Sequence, residues 1–505
     1  MTTTTQHPSS GAGSAGPATS TAAGPPRPSR QTSRLLTRLH FFAGILCAPF
    51  ILVAAVSGLL YAVAPTVEQV VYHDMLTATA TDEHPTAEAV SAQVETAREK
   101  HPDLALAGIR LGDADETTRV LFTDPELPES TLRAVFIDPY SGDVKDDSTQ
   151  YGSSASLPLR QWISDGHRNL WLGENGRLYS ELAASWLGVL AVGGVIILWR
   201  RQRKGSGTGS RTRGMLRRDG KGRTRMMRRH GATGTIIAVG LVFLTVTGLT
   251  WSSVAGTNIT QVRENLNWGT PSVSTDLPGM QGSAPTVSAE HAGHAGHAAH
   301  AGHDMASMSP TTVSGLNAGS IDRVVDGAQR ELRTPMTLTP PTAEGAAWAV
   351  AENRDSWRLT TDAVAVDWAT GKVTDRLDSA DWPLAAQATA WLIQLHMGTL
   401  FGLPNQIVLA LLAAAIIAMV VRGYAMWWMR RGRSVLAAPP QRAGWGRPTV
   451  GTLVLGAALM VYGVIAPVFR VTCLVFLALS LAWDISCRLI RRRGGEVTPG
   501  DRLPG

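Results

Sequence analysis

The chain has 505 residues, a formal net charge of +6 and a mean hydropathy near zero, an average that hides long apolar runs alternating with polar blocks. Its three cysteines, Cys47, Cys473 and Cys487, all lie in or beside apolar runs, which argues against a disulfide framework or a zinc ribbon. The basic excess is gathered in short segments between apolar runs, a pattern of membrane topology rather than of nucleic-acid binding.

Residues 1–33 are rich in Thr, Ser, Gly, Ala and Pro and read as a disordered cytoplasmic tail, with no cleavable signal peptide expected. A spanning helix needs about 20 mostly apolar residues. Runs at 40–64, 182–199, 231–254, 405–429, 450–467 and 470–487 meet or nearly meet that length. The chain therefore divides into TM1 (34–64), an outer domain (65–157), an interfacial segment with TM2 (158–200), a basic cytoplasmic loop (201–229) and TM3 (230–254). A second outer domain follows (255–383), carrying a His-rich insertion at 270–310, then an interfacial segment with TM4 (384–429) and a cytoplasmic loop (430–449). A TM5–TM6 hairpin, or a single broken segment, occupies 450–487, and a cytoplasmic tail 488–505.

Orientation follows from the basic clusters. Arg30, Arg34 and Arg38 precede the first span, the 200–229 loop is densely basic, Arg422, Arg430, Arg431 and Arg433 accompany the end of the fourth, and Arg491, Arg492 and Arg493 follow the last. All fall on one side when the N-terminus is cytoplasmic, and the two long polar segments then face outward. Trp427 and Trp428 beside Arg430 and Arg431 read as an interfacial anchor, and His73, His84 and His101 as ordinary surface residues.

The two halves repeat. Arg38, His40, Gly44 and Ser57-Gly58-Leu59 recur at one constant offset as Arg228, His230, Gly234 and Thr247-Gly248-Leu249. Asp138, Gly142, Trp162, His167 and Gly173 recur at a second, larger offset as Asp367, Gly371, Trp391, His396 and Gly402. The change of offset places an insertion in the second half, between its first span and the matched part of its outer domain, in a window that holds the His-rich segment. Each outer domain reads as small and α+β: helical spacing over 86–100, strands near 105–111, 118–123 and 133–137, then a strand–turn–strand at 135–144 with Asp138 and Gly142 in the turn. The fold class expected is an α-helical integral membrane protein of four core spans and a C-terminal pair, with two small α+β outer domains, built by internal duplication.

The Asp-x-x-x-Gly turn between strands, after such a helix, resembles the PepSY domain. The arrangement of a histidine ahead of glycine-containing spans is similar to the PepSY-associated transmembrane family over roughly residues 34–432. That family includes iron-regulated membrane proteins and ferric-siderophore reductases of bacterial inner membranes. The resemblance implies a multi-pass protein of the bacterial cytoplasmic membrane, and its reductase members are di-haem proteins.

Four histidines obey the repeat: His40 and His230 at the inner ends of their spans, His167 and His396 on the outer side ahead of theirs. Histidine near a span is costly without a partner or a task, and neutral imidazoles fill the axial positions of haem iron. Two haems b, one per pair, would let an electron cross the bilayer; the bland alternative is hydrogen bonding at the interface, copied by duplication. His167 and His396 lie some way before their spans and are expected on short interfacial helices. Gly44, Gly58, Gly234 and Gly248 would let helices or a flat macrocycle approach closely. In the insertion, His291, His294, His297, His300 and His303 with Met305 and Met308 suit adaptable binding of copper or another transition metal.

The cytoplasmic loops offer no strand, Gly-rich turn and helix for a dinucleotide, so an electron donor must be separate, a quinol or a cytoplasmic flavoprotein. The leading function is a ferric or cupric reductase passing electrons to a metal complex, such as a siderophore, outside the membrane in metal uptake. The alternatives are a PepSY-type regulator of a peptidase and a metal-binding or transport protein without redox activity. Membrane lipid is an expected partner; nucleic acid is not.

Overall fold

In the computed structural model, residues 29–204, 222–277, 287–288, 318–343, 345–431 and 449–494 are described. Among them, four helices are long and apolar enough to cross a membrane, Ala48–Val71, Gly173–Gln202, Leu403–Arg430 and Pro467–Ser486; a bent pair, Arg223–Ile236 with Ala238–Thr250, makes a fifth if taken as one span. Large apolar side chains such as Ile236 and Val239 on the bent pair stand about four-fifths exposed, the surface that a lipid chain would cover.

The first apolar run is two helices, α1 (Ser29–Leu46) and α2 (Ala48–Val71), broken at Cys47. Pro49 explains the break: it has no N–H to give the Ile45 carbonyl. That carbonyl instead accepts from the Tyr424 hydroxyl at 2.8 Å, so this backbone acceptor is not left unpaired inside the bundle. One turn, α3 (His73–Leu76), then leads α2 toward the sheet, where α4 (Val90–Lys100) follows. Next come α5 (Pro158–Asn169) and the long α6 (Gly173–Lys204). The run around His230 breaks as the first one does, into α7 (Arg223–Ile236) and α8 (Ala238–Thr250), with a bend of 60° at Ile237. Ile237 is the residue that the repeat matches to Cys47. No proline lies there; Gly234 and Gly240 flank the bend, where a missing side chain weakens the ladder's support.

Beyond α9 (Val254–Asn265) and α10 (Ala318–Gln329), the second half mirrors α5 and α6 with α11 (Leu384–Met397) and α12 (Leu403–Arg431). The last described helices are α13 (Val450–Ile465) and α14 (Pro467–Gly494), separated at Ala466. The sequence left this region as a hairpin of two crossings or a single broken segment. At 16 residues α13 reaches roughly 24 Å, short of a hydrocarbon core of about 30 Å. The pair is tied to the bundle by polar contacts: Trp186 Nε1 donates to Thr472 Oγ1 at 2.9 Å, and Tyr462 donates to the Ser185 carbonyl at 3.0 Å. Arg38, read from sequence as part of a cytoplasmic basic cluster, is buried. It donates to both carboxylate oxygens of Asp484 on α14, at 2.9 and 2.8 Å, and to the Ser480 carbonyl at 3.3 Å.

The strands do not form two separate small units. Strands β1 (Ala105–Leu111), β2 (Thr118–Thr123), β3 (Thr131–Ile137) and β4 (Val144–Tyr151) join β7 (Met336–Thr339), β8 (Trp348–Glu352), β9 (Ala363–Val366) and β10 (Val373–Leu377) in one antiparallel sheet, ordered β10-β9-β8-β7-β1-β2-β3-β4. A short ribbon pairs β5 (Ser272–Val273) with β6 (Val287–Ser288), and its Val273 packs against Ala349 and Ala365 of the large sheet. The seam of the large sheet is β1 against β7, Ile109 opposite Leu338 and Leu111 opposite Met336, which removes two exposed strand edges. Helices α4 and α10 lie on one face, and Val94, Val120, Phe122, Val324, Leu338 and Val350 form a single core drawn from both halves. Ser91 on α4 donates its amide to Asp322 on α10 at 3.0 Å, so the halves are joined by helix as well as by strand. The two Asp-x-x-x-Gly turns close alike: Gly142 N to Asp138 O at 2.9 Å and Gly371 N to Asp367 O at 2.7 Å, each glycine at positive φ (+72° and +69°), a conformation costly to any residue with a Cβ.

Candidate functional site

His40 on α1 and His230 on α7 meet across the bundle. Their ring centroids are 6.5 Å apart and their planes nearly perpendicular, at 87°. Two imidazoles on opposite sides of one metal, at about 2.0 Å per bond, would hold their centroids roughly 6.3 Å apart, so the observed spacing leaves room for one metal atom between them. Both rings line a cavity of about 320 Å³. Its walls are apolar, from Ile45, Leu187, Leu190, Val195 and Val420, while Arg201, Arg223 and Arg430 also line it. Trp427, expected only as an interfacial anchor, lines it as well.

Glycines shape this space. No atom lies within 4 Å of where a Gly44 Cβ would stand, and Gly44 lines the cavity, so any larger side chain there would enter it. A Cβ on Gly194 would come within 3.2 Å of His40 Cε1; the His40 ring lies against α6 because that residue has no side chain. Nδ1 of both His40 and His230 is buried without a hydrogen-bond partner among the described residues. The Leu190 and Met419 carbonyls lie beside the two rings but fall short of hydrogen-bond geometry.

His167 and His396 sit on α5 and α11, the short helices ahead of α6 and α12, and both line a second cavity of about 270 Å³. Here the ring orientation is held from behind. His167 Nδ1 is 3.0 Å from Ser57 Oγ, and His396 Nδ1 is 2.6 Å from Thr247 Oγ1. Each hydroxyl already gives its hydrogen to a helix carbonyl, Ser57 to Val53 at 2.8 Å and Thr247 to Phe243 at 2.9 Å. With the hydroxyl hydrogens so directed, each oxygen accepts from the imidazole, an arrangement that would put the proton on Nδ1 and leave the Nε2 lone pair free for a ligand. A Cβ on Gly58 would lie 3.1 Å from His167 Cε1, so α2 and the ring pack closely only because that position is glycine. Ser57 and Thr247 were visible in the sequence as matched residues before a repeated Gly-Leu, but nothing in the pattern assigned them to the histidines.

The two cavities share Ile51, Leu187 and Ile416 as lining residues; they are stacked through the bundle, parted by a few apolar side chains. Tyr61, Arg168, Trp251 and Arg354 also line the outer one. Sequence reasoning missed these arginines because their role depends on where the chain folds back over the helix ends.

Among the described residues no group of three or more His, Cys, Asp or Glu side chains could hold a metal ion by itself. His291, His294, His297, His300, His303, Met305 and Met308 lie outside the described residues. His101, expected as an ordinary surface residue, is half-buried and its Nε2 lies 2.8 Å from Asp147.

Residues 37–430 match the family model described as the PepSY-associated TM region. No curated protein matches the chain.

Proposed function

Because the chain belongs to the PepSY-associated transmembrane family, with the match covering well over half its length, we propose that it is a haem-containing electron-transfer protein of the membrane that reduces an extracytoplasmic metal complex, a ferric siderophore or cupric ion, for metal uptake. One observation carries this reading: two histidine pairs line two stacked cavities that share three apolar side chains. A membrane anchor has no use for such an arrangement.

The residues suit two haems b. His40 and His230, whose ring centroids stand 6.5 Å apart, would hold the inner one. His167 and His396 would hold the outer one, with Ser57 and Thr247 keeping each Nδ1 protonated and each Nε2 free. The space at Gly44 and the close approach at Gly58 suit a flat macrocycle. Arg201, Arg223 and Arg430 at the inner cavity, and Arg168 and Arg354 at the outer, would meet the macrocycle's carboxylates. When bound, haem supplies a one-electron carrier at each level of the bundle. The apolar walls keep water from the histidines and lower the local dielectric.

On this reading the halves arose by duplication, since both inner helices break at matched positions and both outer histidines lean on a matched hydroxyl. The basic segments would face the cytoplasm, in the bacterial inner membrane, with a separate quinol or flavoprotein as donor. The His- and Met-rich insertion would gather copper or another transition metal outside.

The test is the visible spectrum of detergent-purified protein, oxidised and dithionite-reduced, with a pyridine haemochrome count. Two low-spin b-type haems per chain are expected, falling to one in His40→Ala and in His230→Ala. A colourless protein from haem-replete cells would overturn the proposal.

A further inference from the structure

The sheet face turned away from α4 and α10 is not uniformly apolar. Beneath β2, β3 and β4 it is covered by Met75, Leu76, Tyr72 and Leu157, residues that lead out of α2 and into α5. Nearer the seam this covering gives way to guanidinium groups. Arg110 on β1 stands directly opposite Arg119 on β2, and Thr337 on β7 flanks Arg110 on its other side. Strand alternation puts both arginines on the face turned toward the helical bundle, because Ile109, Leu111 and Val120 point into the opposite core.

Two like charges directly opposite on neighbouring strands repel, and no described side chain pairs with both to cancel the repulsion. Among the described residues Arg110 makes no hydrogen bond or ion pair. Arg119 donates to a neutral acceptor, Gln150 Oε1 at 3.2 Å, and lies over the Phe136 ring at 5.2 Å. The carboxylates in the neighbourhood are engaged or distant. Glu68 is held by Arg160 Nε at 2.9 Å and by the Leu157 amide at 2.9 Å. Glu116 and Asp355 attract Arg110 without reaching ion-pair distance, and both are exposed. Arg160, already paired with Glu68, lies in the same neighbourhood. Burial and, next, the Arg110 charge hold the Arg119 guanidinium far below its ordinary range, down to about 9. Both side chains are largely buried but keep part of their surface open to solvent.

The arginine pair lies close to residues of the outer histidine cavity. Arg160 donates to the Ser154 carbonyl at 2.6 Å, and Ser154, with Arg168 and Arg354, lines that cavity. We propose that Arg110 and Arg119 form an anion-binding site that receives the carboxylate groups of a negatively charged metal chelate and holds it over the outer cavity. The inference rests on the electron-transfer reading for its substrate, but the site itself does not require haem. An anion bridging the two guanidiniums would remove the repulsion that the empty pair carries, and a chelate bearing several carboxylates can meet both forks at once. A lipid headgroup fits less well, because the pair lies between the sheet and the segments at the helix ends rather than on a helix surface facing lipid.

The experiment uses the full-length protein in detergent at low salt, titrated with gallium(III) citrate, an anionic chelate that does not accept an electron under these conditions. Saturable binding is expected, weakened at least about 10-fold in the double variant Arg110→Gln/Arg119→Gln and weakened in the wild type as salt is raised. The variant should keep the wild-type haem content and thermal transition, since it replaces two mutually repelling charges by neutral side chains of similar length. Binding unchanged in the double variant would overturn the proposal. So would metal-free citrate binding as tightly as the gallium complex, or competition by phosphatidylglycerol vesicles but not by ferric citrate. A colourless protein that still binds gallium citrate through these arginines would leave this site standing and overturn the haem reading alone; a haem-loaded protein with arginine-independent binding would do the reverse.

Discussion

The ion pair between Arg38 and Asp484 is buried to 2% and 6% exposure and joins the helix carrying His40 to the C-terminal helix that lies beyond the family match. Replacing Asp484 by Ala removes two charge-assisted hydrogen bonds of 2.9 and 2.8 Å and strands a guanidinium among apolar side chains, with the Ser480 carbonyl 3.3 Å away. Removing one partner of a buried pair costs about 3–5 kcal/mol, mostly from the charge left behind, whereas replacing both by apolar residues of similar volume is near neutral. Asp484→Ala is therefore expected to lose about 3–5 kcal/mol and the double variant Arg38→Met/Asp484→Leu to recover most of it. Reversible unfolding in mixed micelles, titrated with denaturing detergent, gives both values. Trp186, whose ring lies 4.9 Å from Phe469 on α14, provides a fluorescence signal at this contact. A loss below about 1 kcal/mol in the single variant, or a double variant no more stable than it, would refute the idea that this pair clamps the C-terminal helices onto the bundle.

On the proposed di-haem reading, removing the hydroxyl behind either outer histidine, by Ser57→Ala or Thr247→Ala, is expected to weaken haem retention at the outer site by about 10–100-fold, the usual effect of losing a partner that orients a ligand; transfer of haem to an apo-globin measures it, and an inner haem should not change. Gly44→Leu places a side chain in the inner cavity where no atom now lies within 4 Å of a Cβ. It should leave the unfolding transition within about 1 kcal/mol of wild type while haem falls from two per chain to one, and a variant that keeps two would show that the cavity is not the haem site.

Much of the architecture was legible in one dimension because the bilayer and the repeat both act on the sequence directly. Lipid requires long apolar runs, so the helical runs stood out. The strands at 105–111 and 118–123 were legible from their residue types and turns, and a turn that needs positive φ selects glycine, so Gly142 and Gly371 marked their own positions. The four histidines emerged because they recur at constant offsets in the two halves. Their environment was not legible. Ser57 meets His167 across 110 residues and Thr247 meets His396 across 149, distances over which no local pattern acts.

What the sequence by itself determined was the set of elements and their order: apolar helices, two polar segments between them, and histidines at matched places. Tertiary structure alone decided which groups meet. It joined two expected domains into one sheet, because the free edges of β1 and β7 satisfy each other's backbone groups when paired. It turned Arg38 from a topological charge into the buried partner of Asp484, since helix packing, not sequence neighbourhood, determines whether a charged group faces water or another charge. It also brought Arg110 and Arg119 abreast through strand register, and register is a property of paired chains that neither strand carries alone.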